Sequence, residues 1–155
     1  MTEDELFARR PMGMRMAMVV RQWRSIIDHA ITDTGLTQSS WTVLMQLHQL
    51  GDNVSVSELA EMQGIELPPL MRTLTLLEQQ GYLQRTVSPY DKRIRLLTLT
   101  DEGRAVLKTL NQVIEAFQTR VANGIPAADI AKFSDTLNQI ACNLRNIREE
   151  NNKTD

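Results

Sequence analysis

Apolar residues recur at intervals of three and four along most of this chain, the spacing that places them on one face of an α-helix. The pattern predicts helices over about residues 11–33, 38–50, 59–63, 68–80, 101–122 and 126–147. The first ten residues are polar and are expected to fray, and the polar tail after residue 147 is expected to be disordered. The chain therefore reads as mainly α-helical.

Side chains suited to helix capping stand at several of the predicted starts. Thr37 and Thr100 each precede an amphipathic stretch, where a hydroxyl can accept from a free backbone N–H. Ser55 is followed three residues later by Glu58, the spacing of a capping box. These caps predict helix boundaries more sharply than the apolar period alone.

One part of the chain departs from the helical period. Residues Leu83–Val87 and Arg93–Leu99 are short, apolar and rich in β-branched side chains, and the polar loop 88–92 separates them. This pattern predicts a small β-hairpin. It leaves open which residues of the second strand face the core, because two alternating pairs compete: Ile94 with Leu96, and Leu97 with Leu99.

The helix before the hairpin has two unlike faces. One arc is predicted to face the core and consists of Leu67, Leu70, Leu74 and Leu77. The opposite arc consists of Pro69, Arg72, Thr73 and Leu76, with Pro68 and Gln79 at its borders. Arginine can bond guanine or phosphate, and leucine can contact a thymine methyl. A helix followed by a charged hairpin predicts a winged helix-turn-helix, with the helix in a major groove and the hairpin in a minor groove.

Charge changes this picture in its distribution more than in its total. A net charge of −2 and a pI near 5.7 are unlike most nucleic-acid-binding domains. Residues 67–95, however, carry a net charge of +3 and form a basic patch. Its five basic side chains are Arg72, Arg85, Lys92, Arg93 and Arg95, and its two acidic ones are Glu78 and Asp91. A local basic patch on an acidic protein is compatible with DNA binding and predicts strong salt dependence.

Composition argues against several other classes of protein. No apolar run reaches the roughly 18–20 residues of a membrane span, and no secretory signal is visible, so we expect a cytoplasmic protein with no membrane partner. The single Cys142 is expected to be a buried, inert thiol, and His29 and His48 are isolated, so neither a metal nor another cofactor is expected. No paired catalytic carboxylates, nucleophile elbow or phosphate loop is found, so no enzyme is expected.

Two motifs carry a resemblance to a known family. The run SPYDKR at residues 88–93 and the run LTLTDEG at 97–103 resemble the wing signature of the MarR family of bacterial transcription regulators. Residues 65–74 and 77–83 resemble the recognition helix and following turn of its SlyA-like branch. The order of predicted elements is similar to that family over nearly the whole chain.

The resemblance implies one chain, 1–155, that forms an obligate homodimer on pseudo-palindromic, A·T-rich double-stranded DNA. Residues 11–35 and 124–150 would be dimerisation helices, 37–100 the winged helix-turn-helix and 101–123 a connecting helix. Apolar residues of the last helix step by 3, 4, 3, 4 and 3, a heptad seam that favours a partner helix; they are Ile130, Phe133, Leu137, Ile140, Leu144 and Ile147. The family also implies regulation by a small phenolic ligand near Trp41.

The resemblance assigns roles to the wing residues. Arg93 would enter the minor groove and Asp91 would orient it, while Lys92 stands where arginine is frequent and would contact phosphate. In the recognition helix, the positions that match the family's DNA-contacting residues are Pro68 and Arg72. Several alternatives stay open. Asp91 and Arg93 can be an ordinary surface turn, Arg72 a solvated charge, and Ser55 a cap only or a phosphate contact too. The seam over residues 130–147 can be intrachain core, and the chain can be a helical dimeric protein-interaction module without DNA binding.

Overall fold

The computed structural model describes residues 1–153, which form seven α-helices, one short 3₁₀-helix and one three-stranded antiparallel sheet. The helices are α1 (Glu3–Ala8), α2 (Met12–Ala30), α3 (Gln38–Leu50), α4 (Val56–Gln63), α5 (Leu67–Gln79), α6 (Asp101–Val121) and α7 (Ala127–Asn152), and the 3₁₀-helix is Thr32–Thr34. The strands are β1 (Val54–Ser55), β2 (Leu83–Val87) and β3 (Arg95–Leu99). The predicted fold class, mainly helical with a small β-hairpin wing, is confirmed.

The chain divides into two compact units, residues 1–115 and the residues that follow. In the second unit α7 continues to Asn152, so the predicted disorder after residue 147 is wrong for residues 148–152. Polar residues at the end of a helix lower its hydrophobicity without removing its backbone hydrogen bonds. Thr154 and Asp155, also predicted disordered, lie outside the described residues. Among residues 1–153, no helix is apolar enough over a sufficient length to cross a membrane.

The N-terminal residues also form a helix, so the prediction that residues 1–10 fray is wrong. The Thr2 hydroxyl accepts from the backbone N–H of Glu5 at 3.2 Å, and the Glu5 carboxylate accepts from the N–H of Thr2 at 2.9 Å. This reciprocal capping box satisfies two otherwise free donors and starts α1. Its sequence signal, a threonine three residues before a glutamate, was present.

The core of the first unit is built from leucine, isoleucine and valine side chains of α2 to α6 and the sheet. Its most buried members are Ile27, Ile31, Val43, Leu44, Leu47, Leu59, Leu70, Leu74, Leu77, Leu83, Leu97 and Leu110. Three of the four leucines predicted on the core face of α5 are fully buried. Leu67 is the exception and stays 49% exposed, because it is the first residue of the helix and no preceding turn covers it.

The sheet has the order β1-β3-β2, with β3 in the centre. Leu83 pairs with Leu99 at one end of the β2–β3 hairpin, called the wing below, and Val87 pairs with Arg95 at the other. Leu97 and Leu99 are buried, which decides the parity that the sequence left open. The second strand begins at Arg95 rather than Arg93, because residues 91–94 form a turn closed by the N–H of Ile94 donating to the carbonyl of Asp91 at 3.0 Å.

The start of α6 is fastened to the start of the wing. The Thr100 hydroxyl accepts from the N–H of Gly103 at 3.0 Å and donates to the carbonyl of Gly81 at 2.6 Å. Thr100 is therefore the predicted helix cap and also a tie to the turn after α5. This tie positions the wing relative to the helices of the first unit.

Candidate nucleic-acid interface

The outward face of α5 presents the residues predicted from the helical period. Pro68 and Pro69 occupy its first turn, where a missing N–H costs no intrahelical hydrogen bond, and both are exposed. Arg72 is exposed, and no hydrogen bond or ion pair of its guanidinium is found within residues 1–153. Leu76 is 37% exposed on the same helix. Thr73 is half-buried, and its hydroxyl donates to the carbonyl of Pro69 at 3.4 Å.

A shallow groove follows this face of α5. It encloses about 340 Å³ and is lined by Met71, Arg72, Thr75, Leu76 and Gln79. Sequence reasoning missed Met71 and Thr75, which lie between the buried and exposed arcs and carry no charge signal. The groove combines a cation, amide and hydroxyl groups and apolar surface, the mixture that reads base edges in a major groove.

The wing tip, residues 88–94, is organised by a buried serine. The Ser88 hydroxyl accepts from the backbone N–H groups of Tyr90 at 3.2 Å and Asp91 at 3.4 Å. The Ser88 N–H donates in turn to the carbonyl of Ile94 at 3.0 Å. Serine hydroxyls commonly close turns by such local bonds. The backbone of the tip is thus fixed from within.

Asp91 and Arg93 lie together at this tip. One oxygen of Asp91 accepts from the backbone N–H of Arg93 at 2.9 Å and from its side-chain Nε at 3.4 Å. The Arg93 side chain nevertheless remains 93% exposed. An ion pair this exposed contributes little to stability, so its physical effect is to restrict where the guanidinium points.

The other two basic residues of the wing differ in their freedom. Arg95 donates from Nη1 to the carbonyl of Lys92 at 2.9 Å, which ties the start of β3 back to the loop. Lys92 is exposed. Both contribute positive charge beside Arg93, although only Lys92 has no side-chain bond within the described residues.

Arg85, counted in the basic patch, is paired across the fold. Its Nε donates to the Glu78 carboxylate and its Nη2 donates to the Thr75 hydroxyl at 3.3 Å. Both members of the Arg85–Glu78 pair were already counted in the net charge of the patch, so that charge is unchanged. The pairing nevertheless leaves Arg85 unavailable to bind phosphate. It links α5 directly to β2 and so holds the helix and the wing together.

Ser55 caps α4, as predicted. Its hydroxyl accepts from the N–H of Glu58 at 3.1 Å, and the Glu58 carboxylate accepts from the N–H of Ser55 at 2.8 Å. The Ser55 backbone bond, with a smaller contribution from its side chain, lowers the pKa of Glu58. The cap leaves the Ser55 hydroxyl proton free to donate, so a phosphate contact there stays a prediction, opposed by the neighbouring carboxylate.

A second cavity of about 310 Å³ lies in the first unit. It is lined by Arg24, Gln38, Ser39, Thr42, Val43, Gln46, Met62, Gln63, Ile65, Pro69 and Thr73. Three side-chain amide atoms from this lining are buried without a hydrogen-bond partner: Gln38 Oε1, Gln46 Oε1 and Gln63 Nε2. Buried polar atoms normally have partners, so these three can bond water or a polar ligand in the cavity. The Trp41 indole is not part of it and donates to Asn111 Oδ1 at 2.8 Å.

Within residues 1–153, no group of three or more histidine, cysteine, aspartate or glutamate side chains could hold a metal ion. Cys142 is half-buried on α7, so the predicted burial of its thiol is only partial in the single chain.

Comparison with known proteins agrees with this geometry. The model of the MarR family matches residues 34–94, which run from the 3₁₀-helix through α5 to the wing tip. The crystal structure of the transcriptional regulator PA3341 is 30% identical with a TM-score of 0.76, and the match covers 88% of this chain and 99% of that one. A MarR-family transcriptional regulator from Rhodococcus sp. RHA1 is 26% identical with a TM-score of 0.76, over 83% and 91% of the two chains.

A third similar structure contains nucleic acid. The transcriptional repressor CouR, bound to a 23-mer DNA duplex, is 25% identical with a TM-score of 0.80, over 91% of this chain and 98% of that one. The family match covers α3 to the wing tip, and the PA3341 structure is matched over nearly its whole length. This chain belongs to the MarR family.

Proposed function

We propose that this DNA-binding transcriptional regulator acts as a homodimer on pseudo-palindromic, A·T-rich operators. The observation that carries the proposal is the wing tip, where Arg93 is 93% exposed yet bonded to Asp91 on a backbone that Ser88 fixes. A cation held outward in this way is prepared for a narrow minor groove, whose negative potential attracts arginine. The similar repressor CouR is bound to a DNA duplex, which supports DNA binding by this chain.

The homodimer is supported by an apolar face in the second unit. Residues of the heptad seam on α7 are exposed in the single chain: Ile130, Phe133, Leu137, Leu144 and Ile147, with Phe133 at 60%. Such a face is too apolar to stay in water and suits a second copy of α7. A palindromic site requires the α5 helices of the two copies to lie one DNA turn apart, about 34–36 Å.

The finer assignments rest on sequence similarity. Residues 65–74 and 77–83 resemble the SlyA-like branch, and we assign the protein to it on that basis. Operator DNA in a bacterium lies in the cytoplasm, and we therefore propose a cytoplasmic location for this protein.

Fluorescence anisotropy of the full chain on A·T-rich palindromic duplexes, repeated across salt concentrations, tests the proposal. We expect two chains per site and a salt slope that steepens with the number of phosphates contacted, near −0.9 for each. Absence of binding at low salt, by a protein that sedimentation shows to be a folded dimer, would instead favour a helical protein-interaction module.

Arg72→Ala is expected to weaken operator binding by about 1–3 kcal/mol and to relax specificity at the base it reads. The reason is that its guanidinium is exposed on the outward face of α5 with no partner among residues 1–153. Lys92→Ala is the matched contrast, because a phosphate contact should weaken all sequences alike. Anisotropy on a set of single-base operator variants distinguishes the two. Equal weakening of every sequence by Arg72→Ala would make Arg72 a phosphate anchor.

We also propose that a small phenolic acid binds the 310 Å³ cavity and lowers DNA affinity. Arg24 can receive its carboxylate, Gln63 Nε2 can donate to one of its oxygens, and the Oε1 atoms of Gln38 and Gln46 can accept from its phenol O–H. Pro69 and Thr73 line the cavity and belong to α5. A ligand bound there would therefore contact the helix proposed to read DNA and could favour an arrangement of it that binds DNA less well. Titrating phenolic acids into the preformed DNA complex should lower its anisotropy, and Arg24→Ala should blunt the response. An unchanged signal in the wild type would refute this regulation.

A further inference from the structure

Tyr90 is the most exposed large apolar side chain among those of residues 1–153, at 98%. It stands at the centre of the wing tip, between Pro89 and Asp91. A single exposed aromatic residue is ordinary on a protein surface, so exposure alone assigns no role. Its surroundings supply the further observations.

The position of Tyr90 is fixed by the tip. Its backbone N–H donates to the buried Ser88 hydroxyl at 3.2 Å, and the preceding proline restricts the local backbone. The closing bond from Ile94 to Asp91 completes the turn beneath it. An aromatic ring has only two side-chain torsions, so ordering it at a contact costs little conformational entropy.

The charges around Tyr90 indicate the partner. Lys92 and Arg93 are exposed two and three residues away, and Arg93 is the residue proposed to enter the minor groove. A ring beside that cation would meet the groove wall, which consists of deoxyribose and phosphate. Tyrosine hydroxyls are among the side-chain groups that donate to DNA phosphates.

We propose that Tyr90 contacts the DNA backbone beside the minor groove that Arg93 enters. Its ring packs on a deoxyribose and its hydroxyl donates to a phosphate oxygen, so it supplies affinity without reading sequence. This inference rests on the proposed function. An intercalating wedge is disfavoured, because pushing the ring between base pairs would desolvate the hydroxyl at its far end.

Two variants separate the ring from the hydroxyl. Tyr90→Phe removes only the donor and should weaken binding about 3- to 10-fold, the net loss expected of one ordinary, solvent-exposed hydrogen bond. Tyr90→Ala removes the ring as well and should weaken binding further, to about 10- to 30-fold. Both losses should be similar on operator and on unrelated duplexes. The salt slope should stay unchanged, because no charge is removed.

The control is Val87→Ala, which shortens an apolar side chain of the same wing that is 49% exposed but lies outside the tip. It should bind as the wild type does. Circular dichroism and thermal melts of the two Tyr90 variants should coincide with those of the wild type, since Tyr90 buries almost nothing in the free protein.

Three outcomes would overturn the inference. Wild-type affinity of Tyr90→Ala would remove Tyr90 from the interface, and wild-type affinity of Tyr90→Phe would remove the phosphate bond. A loss confined to one operator sequence would make Tyr90 a base-reading residue. If the wild type binds and depends on Arg93 but not on Tyr90, only this inference fails. If the wild type binds no duplex, the proposed function fails with it.

Discussion

Replacing Arg93 with alanine should weaken binding to an A·T-rich operator about 10- to 100-fold and abolish the preference for A·T-rich flanks. The side chain is 93% exposed and already bonded to Asp91, so its conformational cost on binding is low. Each homodimer would lose two cations, so the slope of log affinity against log salt concentration should become less negative by about two. Anisotropy on duplexes that differ only in their flanks measures both effects.

Asp91→Ala is the informative companion variant. Removing an acidic residue beside a phosphate backbone should strengthen binding if charge alone mattered. Removing the acceptor that holds the Arg93 backbone and side chain should weaken binding if orientation matters. We expect weaker binding, because the repulsion is screened by water whereas the loss of the turn bond acts on the contact itself. Tighter binding by Asp91→Ala, or unchanged flank preference in Arg93→Ala, would contradict the assigned wing role.

Local patterns were sufficient to predict the helices that present the candidate site. The buried arc of α5 follows from the leucine period, and the exposed arc with Arg72 is its geometric complement. The caps at Ser55 and Thr100 depend on neighbours within three residues and were predicted for the same reason. These caps and the leucine period depend only on residues close in sequence, so contacts between distant segments do not change them.

The features that the sequence did not predict depend on contacts between distant segments. Strand β1 has two residues, too few to show alternation, and exists because Val54 meets Leu97 in the folded chain. Arg85 and Glu78 were counted only in the net charge of the basic patch, and the folded arrangement is what brings the two side chains together. Burial of Ser88 was equally hidden, since a serine between two strands reads as exposed loop. The organisation of the wing tip therefore required the structure.

Gly103 is the clearest case of a residue that the fold requires to be glycine although the sequence alone does not show why. In sequence it is a glycine in the first turn of a helix, where it is tolerated and looks dispensable. In the structure a Cβ added there would collide with the backbone carbonyl oxygen of Tyr82 and lie 3.0 Å from its carbon. That carbonyl also accepts the N–H of Thr100 at 3.2 Å, so it is fixed by the junction between the wing and α6.

Gly103→Ala should therefore lower the free energy of unfolding by about 3 kcal/mol, because relief of the collision requires the first turn of α6 to move off the backbone before β2. Urea unfolding at one fixed protein concentration measures it, since dimerisation makes stability concentration-dependent. Gly13→Ala is the matched control, because Gly13 also lies in the first turn of a helix and its added Cβ would meet nothing within 4 Å. That variant should be neutral or stabilised by up to about 1 kcal/mol. Equal stability of the two variants would mean that α6 can shift freely against Tyr82, and the close approach would then not constrain how the wing is held.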